Sequence, residues 1–184
     1  MAGIKPKQKN VKRKVNPIFK KAILSRKICM GFNLIGSNLL ENIELILKNN
    51  YAGRCNKEGF IEYDSIELIN HSAGIMNGSN VYYDVAFKCL ICNPVEGTKI
   101  NCKILNITKA GIRAIYGDDE EKSPIIIFIS RDHNYNNKQF NNLKVNDVIN
   151  TRVIGSRFEL NDKKIYIISE LINNKKTRLI IDNK

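Results

Sequence analysis

The stretch after Pro94 constrains the fold more than any other part of the chain. Five segments rich in Ile, Val and Phe, residues 97–107, 110–116, 124–130, 147–154 and 163–171, are separated by short polar or Gly-containing stretches. Their length and β-branched content read as strands. In the first of them Ile100, Cys102 and Ile104 alternate with Asn101 and Lys103, the period-two pattern of a strand with one buried and one wet face. Five such strands at this spacing fit a closed Greek-key barrel of the OB type. Gly111 falls where the first two strands bend sharply, a position suited to a residue without Cβ. The acidic run Asp118-Asp119-Glu120-Glu121 and the Asn-rich residues 134–142 then lie in loops between strands.

Before Pro94 the texture is mixed. Residues 27–30 read as a short strand and 31–36 as a loop. Over 37–48, Leu39, Ile43, Ile46 and Leu47 share one helical face, with Ser37 placed to cap the start and Lys48 in the last turn. Residues 53–55, 59–69 and 81–92 read as antiparallel strands broken by turns at Gly74 and Gly78. The expected fold class is therefore α+β followed by all-β. A flexible basic arm (1–24) precedes an N-terminal α+β domain (25–94) and a C-terminal barrel (95–184).

Charge separates these parts. The whole chain carries 30 Lys and Arg against 18 Asp and Glu, a net +12. Residues 1–27 hold ten of the cations and no acid, 28–94 hold four against seven acids, and 95–184 hold sixteen against eleven. An acidic partner such as nucleic acid or an anionic surface follows from the total. The body is too mildly basic for a domain that grips duplex DNA by its own surface, where phosphate neutralisation supplies most of the affinity. The arm has too little apolar surface to offset ordering; contact with an acidic partner and simple solubilisation both fit it. No run of about twenty apolar residues is present, which argues against a membrane span, and the start is too polar for a secretory leader. Five cysteines without regular spacing fit reduced thiols, so an intracellular protein is expected. Frequent Ile, Asn and Lys point to an A/T-rich genome.

Candidate chemistry is sparse. Cys89-Leu90-Ile91-Cys92 has the spacing of a zinc or dithiol motif, yet it continues a strand in which positions three apart face opposite ways. Buried structural thiols are the plainer reading, since no second pair completes a zinc site. Four successive carboxylates at 118–121 cannot converge on one ion, and a solvated loop fits better. His71 and His133 have no adjacent nucleophile pattern, and no Gly-rich phosphate loop occurs. Neither a catalytic centre, a metal site nor a cofactor is expected. The barrel offers more: OB folds bind single strands through cations that track phosphate and planar groups on which bases stack. Lys103, Lys109, Arg113, Phe128, Arg131 and Arg152 fall on or beside the first four of its strands. Arg113 should face outward if Ile112 and Ala114 are core; Phe128, within Ile125-Ile126-Ile127-Phe128-Ile129, reads equally as core or as stacking platform.

These pieces, in order, resemble the larger stalk subunit of multisubunit RNA polymerases, the family of the seventh subunit of eukaryotic RNA polymerase II and its archaeal counterpart. The resemblance runs from about Ser25 to Leu171. It rests on Gly36-Ser37-Asn38-Leu39-Leu40, Gly53-Arg54-Cys55 with Gly59-Phe60-Ile61, and Ala73-Gly74-Ile75-Met76. It continues through Tyr83-Asp84-Val85-Ala86-Phe87-Lys88-Cys89, Pro94-Val95-Glu96-Gly97, Lys109-Ala110-Gly111, Phe128-Ile129-Ser130-Arg131 and Val153-Ile154-Gly155-Ser156-Arg157. It implies a truncated RNP-like N-terminal domain that docks on the polymerase core and a smaller stalk partner, forming a heterodimer. An OB barrel then lies near emerging single-stranded RNA. By resemblance, Gly36, Ser37 and Asn38, with Gly53, Arg54 and Gly59, are the docking residues, and the protein is an accessory subunit without its own active site.

The arm through Leu24 has no counterpart in the family, and Ala110 stands where RNA-binding barrels of the ribosomal-protein kind often carry an aromatic. The divergence and composition look like a large DNA virus, with a virion and host-cytoplasm location; an A/T-rich cell would imply the nucleus. The rival readings are a free-standing OB-fold RNA-binding protein in translation or RNA handling and an RNA-processing enzyme.

Overall fold

The computed structural model describes residues 18–134 and 139–172. Residues 1–17, most of the expected basic arm, lie outside them. The first strand, β1 (Phe19–Gly31), is 13 residues long and pairs antiparallel with β6 (Asn80–Cys92) along its whole length, from Phe19 opposite Cys92 to Gly31 opposite Asn80. Residues 19–24 are thus strand, a correction to the arm boundary at 24. The lysines Lys20, Lys21 and Lys27 are exposed along it while Phe19, Leu24, Ile28 and Met30 are buried. Cations on an edge strand are compatible with pairing and discourage a further strand from adding.

A 3-10 turn (Phe32–Leu34) leads to the helix α1 (Leu39–Tyr51), which buries Ile43 and Leu47 completely, each worth on the order of 2 kcal/mol. Leu39 and Ile46 pack partly against the same cluster. Asn38, not Ser37, is the cap residue, and no side chain caps the helix; the Ser37 hydroxyl turns to Asn38 Oδ1 instead, at 3.4 Å. Glu41 in the first turn and Lys48 in the last still suit the helix dipole.

The other edge of β6 is shared by three short strands: β3 (Gly59–Ile61), β4 (Glu67–His71) and β5 (Ile75–Asn77). The two-residue β2 (Cys55–Asn56) pairs with β3. The single strand expected over 59–69 is therefore two, split by a turn in which the Ser65 amide and hydroxyl both donate to Glu62 O. Alternate residues of β6, Val81, Tyr83, Val85, Phe87, Cys89 and Ile91, face α1 and form one core with Leu24, Ile28, Met30 and Ile66.

The barrel is closed by β7 (Lys99–Ile107), β8 (Gly111–Ile115), β9 (Ile125–Ser130), β10 (Val148–Arg157) and β11 (Ile165–Leu171). The circuit runs β7-β8-β9-β11-β10 and back to β7, every contact antiparallel except the parallel β9–β11 pair. This is an OB-like barrel, and its five strands coincide with the five segments read from the sequence to within a few residues. Irregular register at Leu105 and Ile154 bends β7 and β10 into closure. Inside lie Ile100, Cys102, Ile104, Ile112, Ala114, Ile125, Ile127, Ile129, Val153, Ile165 and Ile167. Gly111 opens β8 after a tight turn, with Thr108 N donating to Gly111 O; a Cβ there would stand 2.3 Å from Ile129 O.

Ile18, Phe19, Cys55, Phe60 and Cys92 belong to the barrel's buried cluster rather than to the core under α1. Backbone hydrogen bonds reinforce the seam, Cys55 N donating to Asp162 O at 2.7 Å and Asn161 N to Cys55 O at 2.9 Å.

Candidate nucleic-acid interface

Strand alternation settles which side chains the barrel presents. In β9, Ile125, Ile127 and Ile129 are fully buried, whereas Phe128 is 37% exposed on the outer surface. Its register partner on β8 is Arg113 and on β11 is Ile168, so a guanidinium, an aromatic ring and an exposed aliphatic side chain form one row across three strands. Lys103 on β7 and Arg152 on β10 also lie on the outer surface, and Lys109 is exposed in the β7–β8 turn.

Most of these cations already have anionic neighbours. Arg113 meets Glu120 at 2.6 Å, Lys103 Nζ lies 3.8 Å from Asp118, and Arg152 lies 3.3 Å from Glu170. Arg131 is engaged internally. Its Nε donates to Lys109 O and its terminal nitrogen to Asn141 Oδ1, while the guanidinium sits 5.2 Å above the Phe140 ring. It ties the β7–β8 turn to the 3-10 turn Phe140–Asn142, so it acts first as a brace of the loops beside the face.

Tyr166 and Arg157 were missed by the sequence reading. Tyr166 is 56% exposed on β11, opposite Arg157 on β10 and Ile126 on β9. The signal was present, since Ile165, Ile167 and Ser169 point inward and force Tyr166 outward. Together Phe128, Tyr166 and Ile168 give the outer sheet an apolar, partly aromatic centre with Arg113, Arg152 and Arg157 on its strands. Rings stack on bases and guanidinium groups donate to phosphate oxygens.

A cleft of about 510 Å³ between the barrel and the N-terminal sheet has the opposite character. Glu62, Asp64, Asp118 and Asp119 line it against a single Lys122, which disfavours phosphate.

Cys89 and Cys92 fall in different buried clusters, Cys89 under α1 and Cys92 in the barrel cluster. Burial pushes the Cys89 thiol up to about 11 and the Cys92 thiol to about 12, and does the same to Cys55 and Cys102. A reactive dithiol needs the reverse shift. Among the described residues no group of three or more His, Cys, Asp or Glu is arranged to hold a metal ion. His71 Nδ1 contacts Ser72 O at 2.8 Å and its ring packs edge-on against Tyr83; the His133 side chain lies outside the described residues.

The six residues expected to dock separate into two places. Gly36, Ser37 and Asn38 form an exposed loop before α1, flanked by exposed Phe32, Leu34 and Leu40. Gly53 and Gly59 are buried: a Cβ on Gly53 would strike the Tyr63 ring, and one on Gly59 would lie 2.5 Å from Cys92 O. Gly53 and Arg54 lead into β2 and Gly59 opens β3, the hairpin whose Cys55 is hydrogen-bonded to Asn161 and Asp162 of the barrel half.

No family model matches the chain. It is similar to a "putative DNA-directed RNA polymerase subunit" of Acanthamoeba polyphaga mimivirus, with 27% identity over 162 residues covering 77% of each chain. The chain has a distant viral relative described as a polymerase subunit. Among the described residues no helix is long and apolar enough to cross a membrane.

Proposed function

We propose that this protein is an accessory, stalk-type subunit of a virus-encoded DNA-directed RNA polymerase, without an active site of its own. It contacts emerging single-stranded RNA through the outer face of its barrel. The observation that carries the reading is the relationship to the mimiviral polymerase subunit over three quarters of both chains. The OB-like topology and the Arg113–Phe128 row support the RNA part, because such barrels use cations and rings on one sheet face to hold single strands.

The β1–β6 sheet with α1 is read as the truncated RNP-like unit that attaches to the core and to a smaller partner. The Gly36–Asn38 loop is the contact, since it alone among the two docking candidates is exposed and borders exposed apolar side chains. Attachment needs little positive charge, which agrees with the excess of acid over base in residues 28–94.

The test is affinity purification of the tagged protein from cells expressing the viral transcription machinery. Recovery of the two largest polymerase subunits is expected. Their consistent absence, with tight RNA binding by the purified protein, would move the assignment to a free-standing RNA-binding protein.

A further inference from the structure

The loop joining β8 to β9 lies beside the row proposed to take RNA, and its acids are not spread evenly. Asp119 is turned inward on the loop, its carboxylate accepting the Glu121 amide and lying 3.8 Å from Lys122. Asp118 and Glu120 instead reach the strands, Asp118 to Lys103 on β7 and Glu120 to Arg113 on β8. The loop backbone is fixed at several points. Lys164 Nζ donates to Glu120 O, Ser123 N to Asp119 O and Ser123 Oγ to Ile125 O, while Tyr116 N donates to Ser123 Oγ. The two carboxylates therefore stand beside the cations without a separate ordering step. Because Arg113 and Glu120 are about half exposed and Asp118 almost fully so, rotating the side chains away needs no movement of the barrel.

Resting on the RNA-contact reading above, we propose that this loop is a built-in competitor for phosphate. In the absence of RNA the carboxylates of Glu120 and Asp118 occupy Arg113 and Lys103, and RNA binds by exchanging its phosphates for them. Such an exchange weakens casual contact with any polyanion, and it lowers the net number of cations released on binding, because each carboxylate set free beside the bound strand regathers part of the cation density that the phosphates give up.

The experiment measures binding of a fluorescent oligouridylate to the full-length chain as a function of salt. D118N/E120Q is expected to bind roughly three- to tenfold more tightly at low salt, the gain that releasing two partly exposed ion pairs allows. Its salt dependence steepens by up to ~1.4 in log–log slope, ~0.7 per freed cation for single strands. The control E41Q/E44Q makes the same change in net charge on α1, remote from the face, and should gain much less. E120Q should bring no gain in an R113A background. If the wild type binds and D118N/E120Q matches it, or if the α1 control gains as much, the competitor is disproved while the RNA reading stands. If neither protein binds at low salt, the RNA reading itself falls.

Discussion

Ile127 and Phe128 are neighbours in sequence and opposites in environment, one fully buried and the other on the outer surface. Ile127→Ala should cost ~2–5 kcal/mol of stability through lost burial and a cavity. Phe128→Ala should leave the melting temperature within a few degrees yet weaken oligouridylate binding by ~1–3 kcal/mol, the usual worth of a stacked base. Thermal melts and titrations on the two variants separate the roles, and a Phe128→Ala protein that unfolds as easily as Ile127→Ala would place the ring in the core. The thiols give a second residue-scale expectation. Burial raises Cys55, Cys89, Cys92 and Cys102 from 9.0 to about 11 or 12. The unfolded chain then loses these protons first as pH rises. Their contribution to stability is complete below pH 9 and declines through the folded values, by up to ~1.4 kcal/mol per pH unit for each thiol. Melting temperature should fall between pH 9 and 11, and native protein should react rapidly with a thiol reagent at the exposed Cys29 alone.

At the scale of elements, Gly111 is the glycine of the barrel half with the least room for a side chain. Gly111→Ala forces a methyl group to 2.3 Å from Ile129 O on the neighbouring strand and is expected to cost at least ~2 kcal/mol, since backbone offers no side chain that can rotate aside. Denaturant titration checks it. Truncation through Leu24 removes six rows of the β1–β6 ladder together with buried Phe19 and Leu24, and it should lower stability by several kcal/mol, on the order of 2 kcal/mol for each buried side chain alone. An unchanged melting temperature would return these residues to the arm. The barrel strands were legible because each alternates apolar and polar residues between turn signals. The start of β1 was not, because Lys20 and Lys21 hide a strand whose partners on β6, Ile91 and Leu90, lie about seventy residues away. Alternation also exposed the outward direction of Arg113. The ion pairs that occupy Arg113 and Lys103 were illegible, since the acidic run reads as solvated loop until the fold brings it over β7 and β8.

For the whole molecule, the division expected at residue 94 remains a proposal about independent units. Among the described residues there are two buried clusters, but Ile18, Phe19, Cys55, Phe60 and Cys92 from the first half complete the cluster of the second. Sequence periodicity does not say which core Cys55, Phe60 and Cys92 enter, because that depends on the Cys55 contacts with Asn161 and Asp162. The place of β11 has a further outcome for biosynthesis. It is the last of the barrel strands in the chain and sits between β9 and β10. A nascent polypeptide that has emerged only to residue 160 therefore holds four strands with two unpaired rims, on β9 and β10, until the final wedge arrives. A stop codon placed there should give light-scattering aggregates rather than a smaller soluble barrel.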